Sequence, residues 1–155
     1  MEHDSVPPPD MFQLLRGQAD PQTRPVMHGL SFDKVFPYHP SIWRAKADGG
    51  KGIEPITDWQ PNTVYRLAHS GTCGSLIHLS VFEKMKRPWF RMQPFEPGCQ
   101  GMIPCISLSQ RMHEAGIPIY GYTGCVVNHL GDESEIDAEI SHKAHAMAQR
   151  QAARQ

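Results

Sequence analysis

The sequence predicts an α/β domain with a short mixed sheet, flanking helices and long loops. Short apolar or alternating segments, such as residues 25–30 and 63–68, have the composition of strands, and residues 106–115 have the apolar spacing of a helix. Fourteen prolines and thirteen glycines in 155 residues indicate long connecting loops, and loops often carry binding residues. We expect a chain of this length to have a modest core.

The N-terminal third predicts one helix, one strand and a long ordered connection. Residues 10–18 have one apolar face, and Asp20-Pro21 ends this helix. Residues 25–30 form a short buried strand by composition. Residues 33–62 hold two tryptophans among many prolines and glycines, so we expect a long ordered loop or an irregular hairpin rather than a linker.

The middle of the chain centres on the stretch 69–90, which opens with a glycine-rich turn. A short apolar strand at 76–79 follows the turn, and a helix is predicted to begin at Ser80. Glu83 lies three residues after Ser80, which is the spacing of a capping box. We therefore predict a compact unit of turn, strand and capped helix.

The C-terminal third predicts a helix at 106–115 that ends at Gly116, because glycine readily adopts the left-handed conformation after a helix. Two short strands are expected next, at 117–120 and 125–129, on either side of a turn at 121–124.

We predict that residues 1–134 form the α/β domain and that residues 135–155 form a C-terminal helix. The last segment is polar and alanine-rich, with few apolar anchors. Asp132 or Ser134 is expected to cap this helix.

The composition excludes several classes of partner. A net charge of −1 and a pI near 6.7 do not favour nucleic acid or a membrane surface. No apolar run approaches the roughly 18 residues that a membrane span needs, and the acidic N-terminus is not that of a signal peptide. The four cysteines (73, 99, 105 and 125) lack CxxC spacing. We expect reduced cysteines in the core of a cytoplasmic protein.

Two parts of the chain are candidates for metal binding. Glu2 and Asp4 lie one residue apart and could both reach one hard cation, although a solvated terminus explains them as well. His129 ends a short apolar strand, where an imidazole can serve as a metal ligand or as an acid–base group. A purely structural histidine is the alternative.

An aromatic residue beside a polar one predicts a site for a polyol at two places. The Asp58 carboxylate could accept hydrogen bonds from hydroxyls while the Trp59 indole covers C–H groups. Trp89 follows the glycine-rich turn and allows the same interpretation. In both places the alternative is a tryptophan that holds a loop in place.

Taken together, these motifs resemble the second half of a GT-A-type glycosyltransferase, related to the large family 2 group, over residues 2–131. They occur in the same order as in that family. The matching segments are Glu2-His3-Asp4 with the helix after it, residues 25–30, residues 55–59, residues 71–90, residues 113–120 and residues 128–131.

The resemblance implies a hexosyltransferase that takes a sugar from a nucleotide-sugar donor to a hydroxyl acceptor such as a glycan. A divalent ion, Mn²⁺ or Mg²⁺, would neutralise the diphosphate leaving group. By the resemblance, Glu2, Asp4 and His129 would hold this ion. The acceptor side would be formed by Asp58, Trp59, Gly71, Thr72 and Trp89.

The chain departs from the family pattern at the catalytic base. Pro104 and Cys105 occupy the positions of the family's Glu-Asp pair, and neither residue can supply a carboxylate. Glu96, on the preceding loop, is the nearest substitute. A retaining mechanism, which needs no such base, and an inactive chain are the alternatives.

The family's N-terminal, nucleotide-binding half has no counterpart in the sequence. We expect a partner chain to supply that half, or else an upstream start or a remnant. A second hypothesis is a non-catalytic carbohydrate-binding or assembly protein that retains the acceptor side. A third is a zinc site built from cysteine and histidine, against which the sequence spacing argues.

Overall fold

The computed structural model describes residues 4–46, 52–90, 104–131 and 135–153. Within these ranges the helices are α1 (Met11–Gln18), α2 (Leu79–Lys84), α3 (Pro104–Glu114) and α4 (Ala138–Ala152). The strands are β1 (Ser5–Val6), β2 (Val26–Leu30), β3 (Ile42–Ala45), β4 (Ile53–Pro55), β5 (Val64–Leu67), β6 (His69–Ser70), β7 (Ser75–Ile77), β8 (Ile119–Val126), β9 (Asn128–Leu130) and β10 (Glu135–Ile136).

A mixed sheet with the order β5-β8-β2-β7 forms the centre of the molecule. The neighbouring strands β2 and β8 run parallel, and β7 and β5 flank them in antiparallel orientation. Every residue of β2 is buried, as expected for a strand that is covered on both faces. The predicted α/β class and the mixed sheet are confirmed.

The two faces of this sheet bury different apolar clusters. Val26 belongs to one cluster and Met27 to the other, because successive side chains of a strand point to opposite faces. The Met27 cluster includes Leu15 of α1. The Val26 cluster includes Leu108 and Met112 of α3. Helices therefore cover both faces of the sheet.

Two smaller sheets complete the described part of the chain. Strands β4, β3 and β6 form one, which confirms the irregular hairpin predicted for residues 33–62 wherever that segment is described. Strands β1, β9 and β10 form the other. In this sheet Ser5 pairs with His129, so the N-terminal segment lies beside β9. None of the described helices is long and apolar enough to cross a membrane.

The predicted capping box at Ser80 is wrong. Helix α2 begins at Leu79, and His78 is its N-cap. The Nδ1 atom of His78 accepts a hydrogen bond from the Ser80 amide at 3.3 Å and lies 2.8 Å from the Ser80 hydroxyl. At this N-cap an imidazole nitrogen accepts the hydrogen bond that a serine oxygen usually accepts.

The predicted break at residues 121–124 is also wrong, because β8 continues through them. A β-carbon on Gly121 would lie 2.9 Å from the Leu67 side chain, and one on Gly124 would lie 2.3 Å from the Tyr122 ring. These glycines allow close packing within a strand and do not form a turn.

The cap of the C-terminal helix differs from the prediction as well. Asp132 and Ser134 lie outside the described residues, and α4 begins later, at Ala138. Asp137 is its N-cap, and the Asp137 carboxylate accepts a hydrogen bond from the Ile140 amide at 2.9 Å. The predicted end of α3 is confirmed: Gly116 has a φ of +70° directly after the helix.

Candidate functional site

His129 lies at the meeting point of three segments. Its side chain is only 7% exposed. Its Nδ1 atom donates a hydrogen bond to the backbone carbonyl of Phe32. A carbonyl can only accept, so Nδ1 carries the proton and the lone pair of a neutral ring lies on Nε2. That Nε2 atom is 3.2 Å from the Sγ atom of Cys73 in the glycine-rich turn.

Asp4 lies directly before β1, the strand that pairs with the strand of His129. The Leu130 amide donates to the Asp4 carbonyl at 2.8 Å, and the Asp4 carboxylate forms an ion pair with Lys34. Lys34 and Phe32 belong to the same connection after β2, so one loop contacts both candidate ligands. The structure thus brings the segments of Asp4 and His129 side by side. That they share a metal ion remains a prediction.

Gly74 fixes the shape of the glycine-rich turn. It has a φ of +64°, and a β-carbon there would lie 2.6 Å from the Val127 side chain. Its carbonyl accepts a hydrogen bond from the Gly29 amide at 2.8 Å. At the other end of the turn, the Gly71 amide donates to the Ser41 carbonyl at 3.0 Å. The turn is therefore held at both ends.

A cavity of about 420 Å³ opens beside this turn. Thr72, predicted from the sequence, lines it together with Ser75 and Phe90. The Ser75 hydroxyl donates to the Thr72 carbonyl at 3.1 Å and lies 2.7 Å from Nδ1 of His28. The hydroxyl hydrogen is directed at Thr72, so His28 donates to the Ser75 oxygen.

His28 remains neutral behind the cavity wall. Its burial, together with the nearby His69, lowers its pKa to about 4, because a charged ring would be poorly solvated there. His28 therefore supports Ser75 as a hydrogen-bond donor.

Trp89 is held by packing against α2. Its ring lies 4.9 Å from that of Phe82, and the Arg87 guanidinium stands 4.6 Å from the centre of the indole. The neighbouring residue, Phe90, supplies the aromatic wall of the cavity. Phe90, and not the predicted Trp89, is therefore the aromatic residue that lines this cavity; a role of Trp89 in acceptor binding remains a prediction.

Asp58 and Trp59 line a second cavity, of about 350 Å³, which is closed by α4. The Asp58 carboxylate accepts a hydrogen bond from the Arg44 guanidinium at 3.0 Å. The Trp59 ring lies 4.9 Å from the ring of His142 on α4 and 6.3 Å from that of Phe32. Of the predicted acceptor residues, Thr72 therefore lines the first cavity, Asp58 and Trp59 line the second, and Gly71 and Trp89 line neither. Phe32 contacts both Trp59 and His129.

Glu2 and Glu96 lie outside the described residues, so their predicted metal-binding and catalytic roles are untested. In the described part of the chain, no group of three or more His, Cys, Asp or Glu side chains could hold a metal ion. His129 has the orientation that a metal ligand usually has, with one ring nitrogen bound to a backbone carbonyl.

The sequence did not identify Cys73, Ser75 or Lys34 as site residues. Cys73 lies 56 residues from His129 along the chain, so no local spacing could reveal the contact. Its place within a Gly-Thr-Cys-Gly turn is the one local signal, because such a turn brings backbone and small side chains close to a neighbour.

Comparison with solved structures gives a match to the crystal structure of A197 from STIV, with a TM-score of 0.57 and 19% identity. The match covers 88% of this chain and 59% of that chain, so this chain spans less than two thirds of its neighbour's length. At this identity the likeness concerns the fold alone. No protein-family model matches the sequence, and no curated protein does either.

Proposed function

We propose that this chain takes part in metal-dependent transfer of a sugar from a nucleotide-sugar donor to a hydroxyl acceptor, as part of a GT-A-type domain. One observation carries the proposal. Three segments far apart in the sequence meet at His129: the N-terminal strand, the loop after β2 and the glycine-rich turn. The family resemblance implies that the N-terminal segment, the glycine-rich turn and His129 serve one site, and it says nothing of the loop after β2.

The ion in this proposal is Mn²⁺ or Mg²⁺, held by Asp4 and His129 with Glu2 as the further carboxylate. When bound, the ion would neutralise the diphosphate of the donor. Asp4 already has a cationic partner in Lys34. Once the ion holds the Asp4 carboxylate, the Lys34 ammonium would be released to pair with a phosphate oxygen of the donor.

The acceptor would occupy the cavity beside Thr72. Hydroxyl groups there would find the Ser75 side chain, which His28 and the Thr72 carbonyl hold in one orientation. The cavity closed by α4 would take a further part of a longer acceptor, against Asp58 and Trp59. In an inverting reaction, Glu96 remains the proposed base.

The nucleotide-binding part of the donor site is proposed to come from a partner chain or from another part of a longer protein. The sequence carries no counterpart of the family's nucleotide-binding half. The structural neighbour also has a substantial part that this chain does not match.

Calorimetry with Mn²⁺ and a panel of nucleotide sugars tests the proposal, with a longer chain or a partner added if one is found. We expect binding that requires the metal, and a His129→Ala variant that weakens it about tenfold or more. Glu114→Gln, which removes an exposed carboxylate at the end of α3, is the matched control and should bind normally. Metal-independent binding, or none in any form of the protein, would overturn the proposal.

A second candidate function is non-catalytic carbohydrate binding. Its supporting observation is that α3 begins with Pro104 and Cys105, where the family has its carboxylate pair. This hypothesis predicts glycan binding that is indifferent to metal and unchanged in Asp4→Ala. The same calorimetry, with an oligosaccharide as the ligand, distinguishes the two functions.

A further inference from the structure

Strand β7 forms one edge of the central sheet, because no strand among the described residues pairs with its outer side. We propose that this edge binds an extended segment of another protein, and that the segment carries an acidic and a large apolar side chain two positions apart. The inference does not depend on glycosyl transfer, since such a segment would bind to an inactive protein as well.

The hydrogen bonds of β7 show which of its backbone groups are left for an added strand. Gly74 and His78, at the two ends of β7, both bond to the segment of β2, the first through its carbonyl and the second through its amide, at 2.8 Å each. Bonded positions alternate along an antiparallel pair. The N–H and C=O groups of Ser75 and Ile77 therefore point away from β2, where an added strand would pair with them.

A cavity of about 470 Å³ lies beside this edge and would receive side chains of the segment. Leu76 and Ile77 of β7 line it together with Phe12 of α1 and Leu79 of α2. Phe12 is 53% exposed and Leu79 is 75% exposed, so a large apolar side chain of the segment would bury apolar surface here. Successive side chains of a strand point to opposite faces, so every second side chain of the segment would point towards this cavity.

The charges around the cavity favour an acidic side chain in the segment. Arg16, Arg24 and Asp20 line the cavity. Neither guanidinium forms a salt bridge in the described part of the chain. The Asp20 carboxylate already accepts hydrogen bonds from the Thr23 amide at 2.6 Å and from the Thr23 hydroxyl at 2.9 Å. Two arginines against one aspartate leave an excess of positive charge, and a guanidinium binds a carboxylate strongly.

A second copy of this chain fits the edge less well than a different protein does. If two β7 strands paired, each would offer the other a Ser-Leu-Ile segment, which has no acidic residue. The paired strand would then bring no carboxylate to Arg16 and Arg24. Charge complementarity therefore favours a segment of a different protein.

Nuclear magnetic resonance titration of the full chain, without metal or nucleotide sugar, tests the proposal separately from the proposed function. The probe is a synthetic peptide, Thr-Glu-Thr-Leu-Thr-Glu-Thr, whose acidic and apolar side chains share one face. It should shift the amide resonances of Ser75 and Ile77 and slow the exchange of these amides with solvent. A peptide with lysine in place of glutamate should bind about tenfold more weakly. A peptide N-methylated at leucine and at the preceding threonine should also bind more weakly, because one of these two amides must face β7.

Charge reversal on the protein provides the complementary experiment. Arg16→Glu combined with Arg24→Glu should reverse the preference, so that the lysine peptide binds more tightly than the glutamate peptide. Arg150→Glu makes the same change of charge on an exposed residue in the last turn of α4. It is the matched control and should leave the preference unchanged.

Circular dichroism shows whether each variant is folded, and if the double variant is not, the three peptides on the wild-type protein still decide the question. Resonances of Ser75 and Ile77 that do not shift at millimolar glutamate peptide, or equal binding of the three peptides, would overturn the proposal. So would a dimer in sedimentation experiments whose Ser75 and Ile77 amides are protected from exchange before any peptide is added, because a second copy would then occupy the edge.

Discussion

At the scale of single residues, the sequence identified His129 and Asp4 but not their neighbours. Asp4 lies one residue from a second acidic residue, Glu2, and His129 ends a short apolar strand, so the local sequence indicates both. Cys73, by contrast, was predicted to be a small core residue, and it is indeed buried. Its contact with His129 depends on pairing between distant strands, which no local pattern encodes. The Phe32 carbonyl was unpredictable for a stronger reason, because every residue has a carbonyl.

Gly74 gives a prediction at this scale. Gly74→Ala should lower the free energy of unfolding by about 2 kcal/mol or more, since alanine at a φ of +64° is strained and its β-carbon would lie 2.6 Å from the Val127 side chain. Gly17→Ala in α1 meets nothing within 4 Å and should stabilise the protein by about 0.5 kcal/mol. Urea denaturation measures both. Equal effects would show that the turn is not held as described.

At the scale of elements, strands and helices with clear periodicity were predicted well. Strand β2 and helix α1 lie where the apolar pattern placed them. Caps and interruptions were predicted less well. His78 replaces Ser80 as a cap because its ring nitrogen reaches the Ser80 amide, and β8 runs through two glycines that the sequence treats as a turn. The His78 cap is a local contact between residues two apart, whereas in β8 close packing of Gly121 against Leu67 outweighs the usual preference of glycine for turns.

The small sheet of β1, β9 and β10 is another feature that the sequence did not predict as a unit. A strand of two residues, such as Ser5–Val6, is too short to show an alternating pattern. This sheet nevertheless places the N-terminal segment beside His129. The family resemblance predicted that proximity, whereas the periodicity of the sequence gave no sign of it.

At the scale of the whole molecule, the sequence predicted the α/β class and the mixed sheet, but not that Thr72 and the pair Asp58-Trp59 line different cavities. The second cavity arises because α4 packs against Trp59, which lies 83 residues before His142 in the printed sequence. Long-range packing of this kind follows from the completed fold rather than from any motif.

Two buried histidines make the stability of the whole fold dependent on pH. Burial, together with His69, lowers the pKa of His28 to about 4, and burial followed by His113 lowers that of His69 to about 4. In the unfolded chain both titrate near 6.5. Between these values the unfolded chain binds more protons, so stability is complete above about pH 6.5 and decreases as the pH falls towards 4.

The expected loss is about 1–2 kcal/mol for each histidine at pH 5. Urea denaturation at pH 7.5 and pH 5 measures it, and His28→Gln should reduce the difference between the two values. A free energy of unfolding that is the same at both pH values, or a difference that His28→Gln leaves unchanged, would show that His28 is not buried in its neutral form.

The proposed binding of one ion by Asp4 and His129, beside the glycine-rich turn, is tested most directly by nuclear magnetic resonance with substoichiometric Mn²⁺. The paramagnetic ion should broaden the resonances of Asp4, Thr72 and His129 first, and those of Ala152 at the far end of α4 last. Broadening confined to exposed carboxylates such as Glu114, with His129 unaffected, would contradict the proposed site.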